Sequence, residues 1–104
     1  MLFLTYWELN ENKSSQERTH IARKLTSGGL FPPKNVRIIR WDQTPDGWGV
    51  TVWETDSAAD VILANELWRA AATGIFKITK TAPAAPIQEL MPLGEQMLKS
   101  LSAG

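Results

Sequence analysis

The chain has no cysteine, one histidine and one tyrosine among its 104 residues. The missing thiols exclude disulfides, thiolate metal sites and cysteine nucleophiles. They agree with a cytoplasmic location, where disulfides are rare. A single histidine cannot build a His-rich metal site within one chain. Net charge is absent too, because eleven basic and eleven acidic residues cancel. No basic field is left to attract nucleic acid or an anionic membrane. No apolar run approaches the ~20 residues of a membrane span. The N-terminal stretch MLFLTYWELNE lacks a basic leader and meets Glu8 too early for a signal peptide.

What is present is apolar and aromatic. The apolar share of 43 % is ordinary for a folded domain, and the length suits one domain. Five tryptophans are many for so short a chain. Two segments, LFLTYWEL at 2–9 and WGVTVWET at 48–55, are apolar on both faces. A half-buried strand alternates apolar with polar instead. Short helices cover one face of a small sheet, so the second apolar face is expected to meet a partner or to enclose a ligand.

The remaining elements follow from caps and breakers. Residues 13–26 read as a helix, with Ser14 and Glu17 in a capping-box pattern and Gly28-Gly29 as its stop. Its apolar stripe is Ile21, Ala22 and Leu25, with the Arg18 stem alongside. After LFPPKN, residues 36–42 make a second strand. Thr44-Pro45-Asp46-Gly47 turns it into the third, at 48–55. Asp56 or Ser57 caps a helix over 57–71, with Val61, Ile62, Leu63, Leu67 and Trp68 as its apolar side. Residues 75–81 form a fourth strand, and APAAP breaks the chain. A terminal amphipathic helix covers 87–101, with Met91 and Met97 read as core fillers.

This order predicts an α+β fold: a ferredoxin-like βαββαβ domain with an antiparallel sheet and an extra C-terminal helix. The domain spans 1–82, and 83–104 hold a Pro/Ala linker and the amphipathic helix. An echo between Trp7-Glu8-Leu9-Asn10 and Trp53-Glu54-Thr55-Asp56 matches the two halves of such a fold. The first and third strands are read as the central pair, running parallel. Phe3, Thr5, Trp7, Thr51 and Trp53 then share one face, which Trp41, Lys77 and Thr79 extend. The aliphatic opposite face, with Leu2, Leu4, Tyr6, Trp48, Val50 and Val52, is assigned to the helices. The first face is therefore expected to be free of helices, as a dimer face or a ligand cavity with aromatic walls and a few hydroxyls. On that basis Trp53 should matter more to dimer or ligand than Trp48.

The segments MLFLTYW, GGLFPPKNVRIIRW and GWGVTVWETD resemble the dimeric α+β barrel superfamily, and within it a small bacterial family of unknown function. The resemblance covers about residues 1–82. It implies a homodimer, the dimeric α/β barrel, in which two sheets pair face to face. The superfamily includes cofactor-independent monooxygenases that oxidise aromatic polyketides, haem-degrading enzymes, muconolactone-type isomerases and ligand-sensing domains. Fold alone therefore does not select a function.

Motifs with their own chemistry are few. His20 falls away from the apolar stripe of its helix and is expected in solvent. Glu8 and Glu54 form a candidate carboxylate pair at one end of neighbouring strands, but the preferred reading places both in water at the strand rim, next to helix N-termini. Tyr6, read as helix-side, is expected in the core. No dinucleotide or phosphate loop follows a strand. No cofactor or metal and no catalytic residue is assigned. Two functions remain. One is monooxygenase-like oxidation or binding of a small apolar or aromatic molecule in a Trp-lined cavity. The other is a non-catalytic ligand-binding or homo-oligomeric assembly module.

Overall fold

The computed structural model describes residues 1–103, so Gly104 of the terminal segment lies outside the described residues. The elements are β1 (Leu2–Leu9), α1 (Ser15–Ser27), β2 (Arg37–Gln43), β3 (Trp48–Glu54), α2 (Ala58–Ala71), β4 (Phe76–Ala84) and α3 (Ile87–Ala103). The four strands form one antiparallel sheet in the order β2-β3-β1-β4. This is the expected ferredoxin-like α+β architecture with a C-terminal helix.

Local chemistry places the boundaries. Ser14 caps α1, its hydroxyl accepting the Glu17 N–H at 3.1 Å. Gly47 closes the β2–β3 turn at φ 78°, a conformation that suits glycine. Ser57 stands at the start of α2 without a side-chain cap bond. β4 runs further than expected, through Pro83 to Ala84. It is an edge strand, where a proline lacking its N–H is tolerated.

The central pair corrects two expectations. β1 and β3 run antiparallel, with Phe3 opposite Trp53, Thr5 opposite Thr51 and Trp7 opposite Gly49. The reason is topological: a crossover makes β1 and β2 parallel, and the hairpin then reverses β3. Glu8 and Glu54 therefore sit at opposite ends of the pair, facing Trp48 and Leu2, and form no carboxylate pair. Glu54 bonds Arg37 across the strands instead, at 2.8 Å.

The two faces are also exchanged. Phe3, Thr5, Trp7, Thr51 and Trp53 are all buried. Phe3 and Trp53 belong to one core cluster with Leu25 of α1 and Val61, Ala64 and Trp68 of α2. This face lies under the helices. Leu4, Tyr6, Trp48, Val50 and Val52 lie on the open face, where Leu4 and Trp48 are exposed and the rest half-buried. The assignment of the first set to a dimer face is thus overturned, as is the placing of Tyr6 under the helices. Glu8 raises the pKa of the Tyr6 hydroxyl, mainly as a hydrogen-bond acceptor, with burial and the carboxylate charge adding to it. Tyr6 is therefore a neutral phenol at pH 7.

In α2, Val61, Ala64 and Trp68 face inward at helical spacing, while Ile62 and Leu63 are exposed. α3 departs most from expectation. None of its described residues is buried, and Met91 and Met97 are exposed rather than core fillers. The radius of gyration, 17.3 Å, exceeds the ~13 Å of a compact chain of this length, because α3 projects from the body. Its tether, Ala85-Pro86, is short and stiff, since the residue before a proline is held extended.

Candidate functional site

The aromatic side chains on the covered face do not close completely over the sheet. Between sheet and helices lies a void of about 110 Å³. All four strands, helices α1 and α2 and two loops contribute to its wall. Trp7 comes from β1, Thr51 and Trp53 from β3, Trp41 and Gln43 from β2, Arg18 from α1 and Trp68 from α2. Phe31, from the loop that follows Gly28-Gly29, completes it.

Phe31 organises the wall. Its N–H bonds the Leu25 carbonyl at 3.1 Å, which ties the loop to the end of α1. Its ring then meets Trp41 and Trp68 at centroid distances of 5.2 Å each, and Trp53 at 5.8 Å. The contacts to Trp53 and Trp68 are edge-to-face, the arrangement that the aromatic quadrupole favours. Trp41 also meets Trp68 edge-on at 5.7 Å. The register of β2 shifts between Ile38 and Arg40, so Ile38 opposes Trp53 and Trp41 opposes Thr51. That irregularity turns Trp41 inward. Strict alternation from Ile38 would have presented Arg40.

Each indole N–H that the core buries has a partner. Trp53 Nε1 donates to Thr5 Oγ1 at 2.8 Å, and Trp7 Nε1 donates to Thr51 Oγ1 at 3.1 Å. Thr5 Oγ1 lies 2.8 Å from Thr81 Oγ1, which also accepts from Asn65 Nδ2 at 3.2 Å. The threonines on this face are thus bound to the tryptophans rather than free for a ligand. Gly49 permits the arrangement. A Cβ there would stand 2.4 Å from Trp7 Cζ2 and 2.1 Å from the Asp42 carbonyl oxygen.

Trp7, Trp41, Thr51 and Trp53 of the expected set meet at this void, with Trp41 the most open of the four. Phe3 and Thr5 share the face but lie within the packed core. Thr79 opposes Trp7 on the same face, and its hydroxyl accepts from Arg69 of α2. Lys77 is separated from the group. The register shift in β4 skips it, and it borders a rim cleft with Glu8, Asp46 and Trp48. His20 is exposed, as expected. Phe31, Trp68, Asn65 and the Arg18 head group join the site without having been expected there. The i, i+3 spacing of Asn65 and Trp68 on α2 was the available signal, since it places both on one side of the helix.

The wall holds Arg18, Gln43, Asn65 and Thr51 as polar groups and includes no carboxylate, imidazole or phenol. Among the described residues, no three His, Asp or Glu side chains cluster as metal ligands. No helix among them is long and apolar enough to cross a membrane.

This architecture recurs in solved structures. A candidate antibiotic biosynthesis monooxygenase from Nitrosomonas europaea matches 82 % of this chain and 96 % of its own, at a TM-score of 0.53 and 13 % identity. The chain has the ferredoxin-like fold of these proteins. A protein from Agrobacterium tumefaciens matches 83 % of this chain and 93 % of its own, at a TM-score of 0.54 and 12 % identity. An uncharacterised NIPSNAP domain protein from Burkholderia xenovorans matches 83 % and 94 %, at a TM-score of 0.51 and 12 % identity. At these identities the likeness is one of fold alone. No protein-family model matches the sequence, and neither does any curated protein.

Proposed function

We infer that this protein binds a small aromatic or apolar molecule in the void between its sheet and its helices. The observation that carries this reading is the wall itself, in which Trp7, Phe31, Trp41, Trp53 and Trp68 surround space instead of filling it. Pockets for small molecules are apolar and aromatic with a few placed polar groups. Size narrows the ligand. At about 110 Å³ the void is somewhat smaller than the ~150 Å³ cavity that accepts one benzene, so it suits a single ring. A three-ring polyketide would require the wall to open.

Binding is favoured over acid–base catalysis, because the wall holds no carboxylate, imidazole or phenol. Oxidation of the bound molecule is the second reading, and the likeness in fold to the candidate monooxygenase from Nitrosomonas europaea supports it. The open face, with Leu4, Tyr6, Trp48, Val50 and Val52, pairs with the same face of a second copy and makes the homodimer. The test is a titration with benzyl alcohol followed by intrinsic fluorescence, since four of the five tryptophans border the void. A saturable change is expected, with no such change from a three-ring anthracene derivative. No response to benzyl alcohol would refute the reading, and oxygen uptake in the same samples would separate oxidation from binding.

A further inference from the structure

Arg18 stands out from the other polar groups at the void. It leaves the first turns of α1 and reaches toward the β2–β3 turn, where its Nη1 lies 3.8 Å from the position a Cβ would take on Gly47. Its Nη2 donates to Ser15 Oγ at 3.2 Å. Among the described residues, Arg37, Arg40 and Arg69 each hold a carboxylate within 4 Å, whereas Arg18 and the exposed Arg23 hold none. Arg18 is half-buried, and no acid borders the void it faces. A half-buried guanidinium without a counter-ion has lost water and gained no anion.

The surroundings are polar where Arg18 stands and apolar behind it. Beside the void lies a shallow outer cleft, bordered by Ser15, Thr19 and Gln43, and Arg18 belongs to both. A ligand with its ring against Trp7 and Trp53 would therefore direct its substituent toward Arg18 and Gln43. The guanidinium has five donors in a planar fork, which matches a carboxylate in bidentate fashion.

Resting on the cavity reading above, the geometry points to a more specific ligand class: a single-ring aromatic acid, its ring in the tryptophan-lined void and its carboxylate on Arg18. Benzoate is the simplest such molecule and benzyl alcohol its neutral counterpart of like size. A charge-assisted hydrogen bond contributes about 1.5–3 kcal/mol, or roughly ten- to hundredfold in affinity.

The experiment titrates the full chain with benzoate and with benzyl alcohol, following tryptophan fluorescence. Benzoate is expected to bind at least about tenfold more tightly, an advantage that salt reduces. In Arg18→Gln the advantage of benzoate over benzyl alcohol disappears. Arg18→Lys keeps the charge but not the fork, and retains part of it. Far-UV circular dichroism checks the fold of each variant. Equal binding of the two compounds by the unmodified chain would overturn the proposal and leave the cavity reading standing. So would an undiminished preference in Arg18→Gln. If neither compound binds, the cavity reading fails and this proposal fails with it.

Discussion

Thr5→Val tests whether the threonines of the covered face serve the tryptophans. Valine has nearly the same shape as threonine, so packing is kept and only the hydroxyl is lost. Thr5 is 1 % exposed, and its oxygen accepts the Trp53 indole N–H at 2.8 Å. Without it, a donor on a side chain that is itself 2 % exposed has no partner. Leaving such a group unpaired costs ~1–3 kcal/mol. At about 2 kcal/mol, the melting temperature of a domain this size falls by ~8–16 °C. The assay is urea unfolding by far-UV circular dichroism at fixed protein concentration, since self-association shifts apparent stability. A double-mutant cycle isolates the bond. In a Trp53→Phe background the donor is absent, and Thr5→Val then loses only its bond to Thr81, ~0.5–1 kcal/mol. A coupling of about 1–2 kcal/mol is expected. An equal cost of Thr5→Val in both backgrounds would refute the reasoning.

Four further substitutions test the same face assignment. Gly49→Ala is expected to destabilise by ~1–3 kcal/mol, because its Cβ would stand 2.1 Å from the Asp42 carbonyl oxygen and displace the Trp7 ring; the same urea assay reads it, and an unchanged midpoint contradicts the register. Leu4→Arg, on the open face, should turn a dimer into a monomer in native mass spectra while the fold persists. Trp48→Ala should act in the same direction, and Trp53→Ala should instead lower stability by ~3–5 kcal/mol as a buried aromatic. A dimer that survives Leu4→Arg and Trp48→Ala means that another surface holds the copies together.

Helix starts, glycine stops, the hairpin turn and the element order were legible, because each depends on chemistry within a few residues. Ser14 with Glu17, and Gly47 at the turn, behave as their residue types require. The facing of the strands was not legible, for a physical reason. When Leu2, Leu4 and Tyr6 alternate with Phe3, Thr5 and Trp7, both sets are apolar, and alternation says which residues share a face but not which face is covered. Thr5 and Thr51 looked like ligand contacts, yet buried indoles require hydrogen-bond acceptors, and the threonines serve that need. Gly49 was the missed clue. A glycine inside a strand signals the close approach of another group, here the Trp7 ring. The register shifts in β2 and β4 left no mark in the sequence pattern, and they decide that Trp41 joins the wall while Lys77 does not. The pattern of α3 showed an amphipathic helix but could not say what, if anything, it packs on.

The exchange of faces alters how the two proposed properties relate. Had the tryptophans lain on the bare side of the sheet, ligand and second subunit would have competed for the same surface, and the site would have existed only in the dimer. Instead the void lies between the sheet and helices α1 and α2, on the side of β1 and β3 away from Leu4, Tyr6 and Trp48. The opposite face of the same strands presents Leu4, Tyr6, Trp48 and Val52 to the outside. In β3, Thr51 and Trp53 face the void while Val50 and Val52 face outward, so one seven-residue strand contributes to both surfaces. A strand with two buried faces carries apolar residues throughout. The absence of alternation that makes this sequence hard to orient is therefore what a cavity on one side of the sheet and a second copy on the other would require.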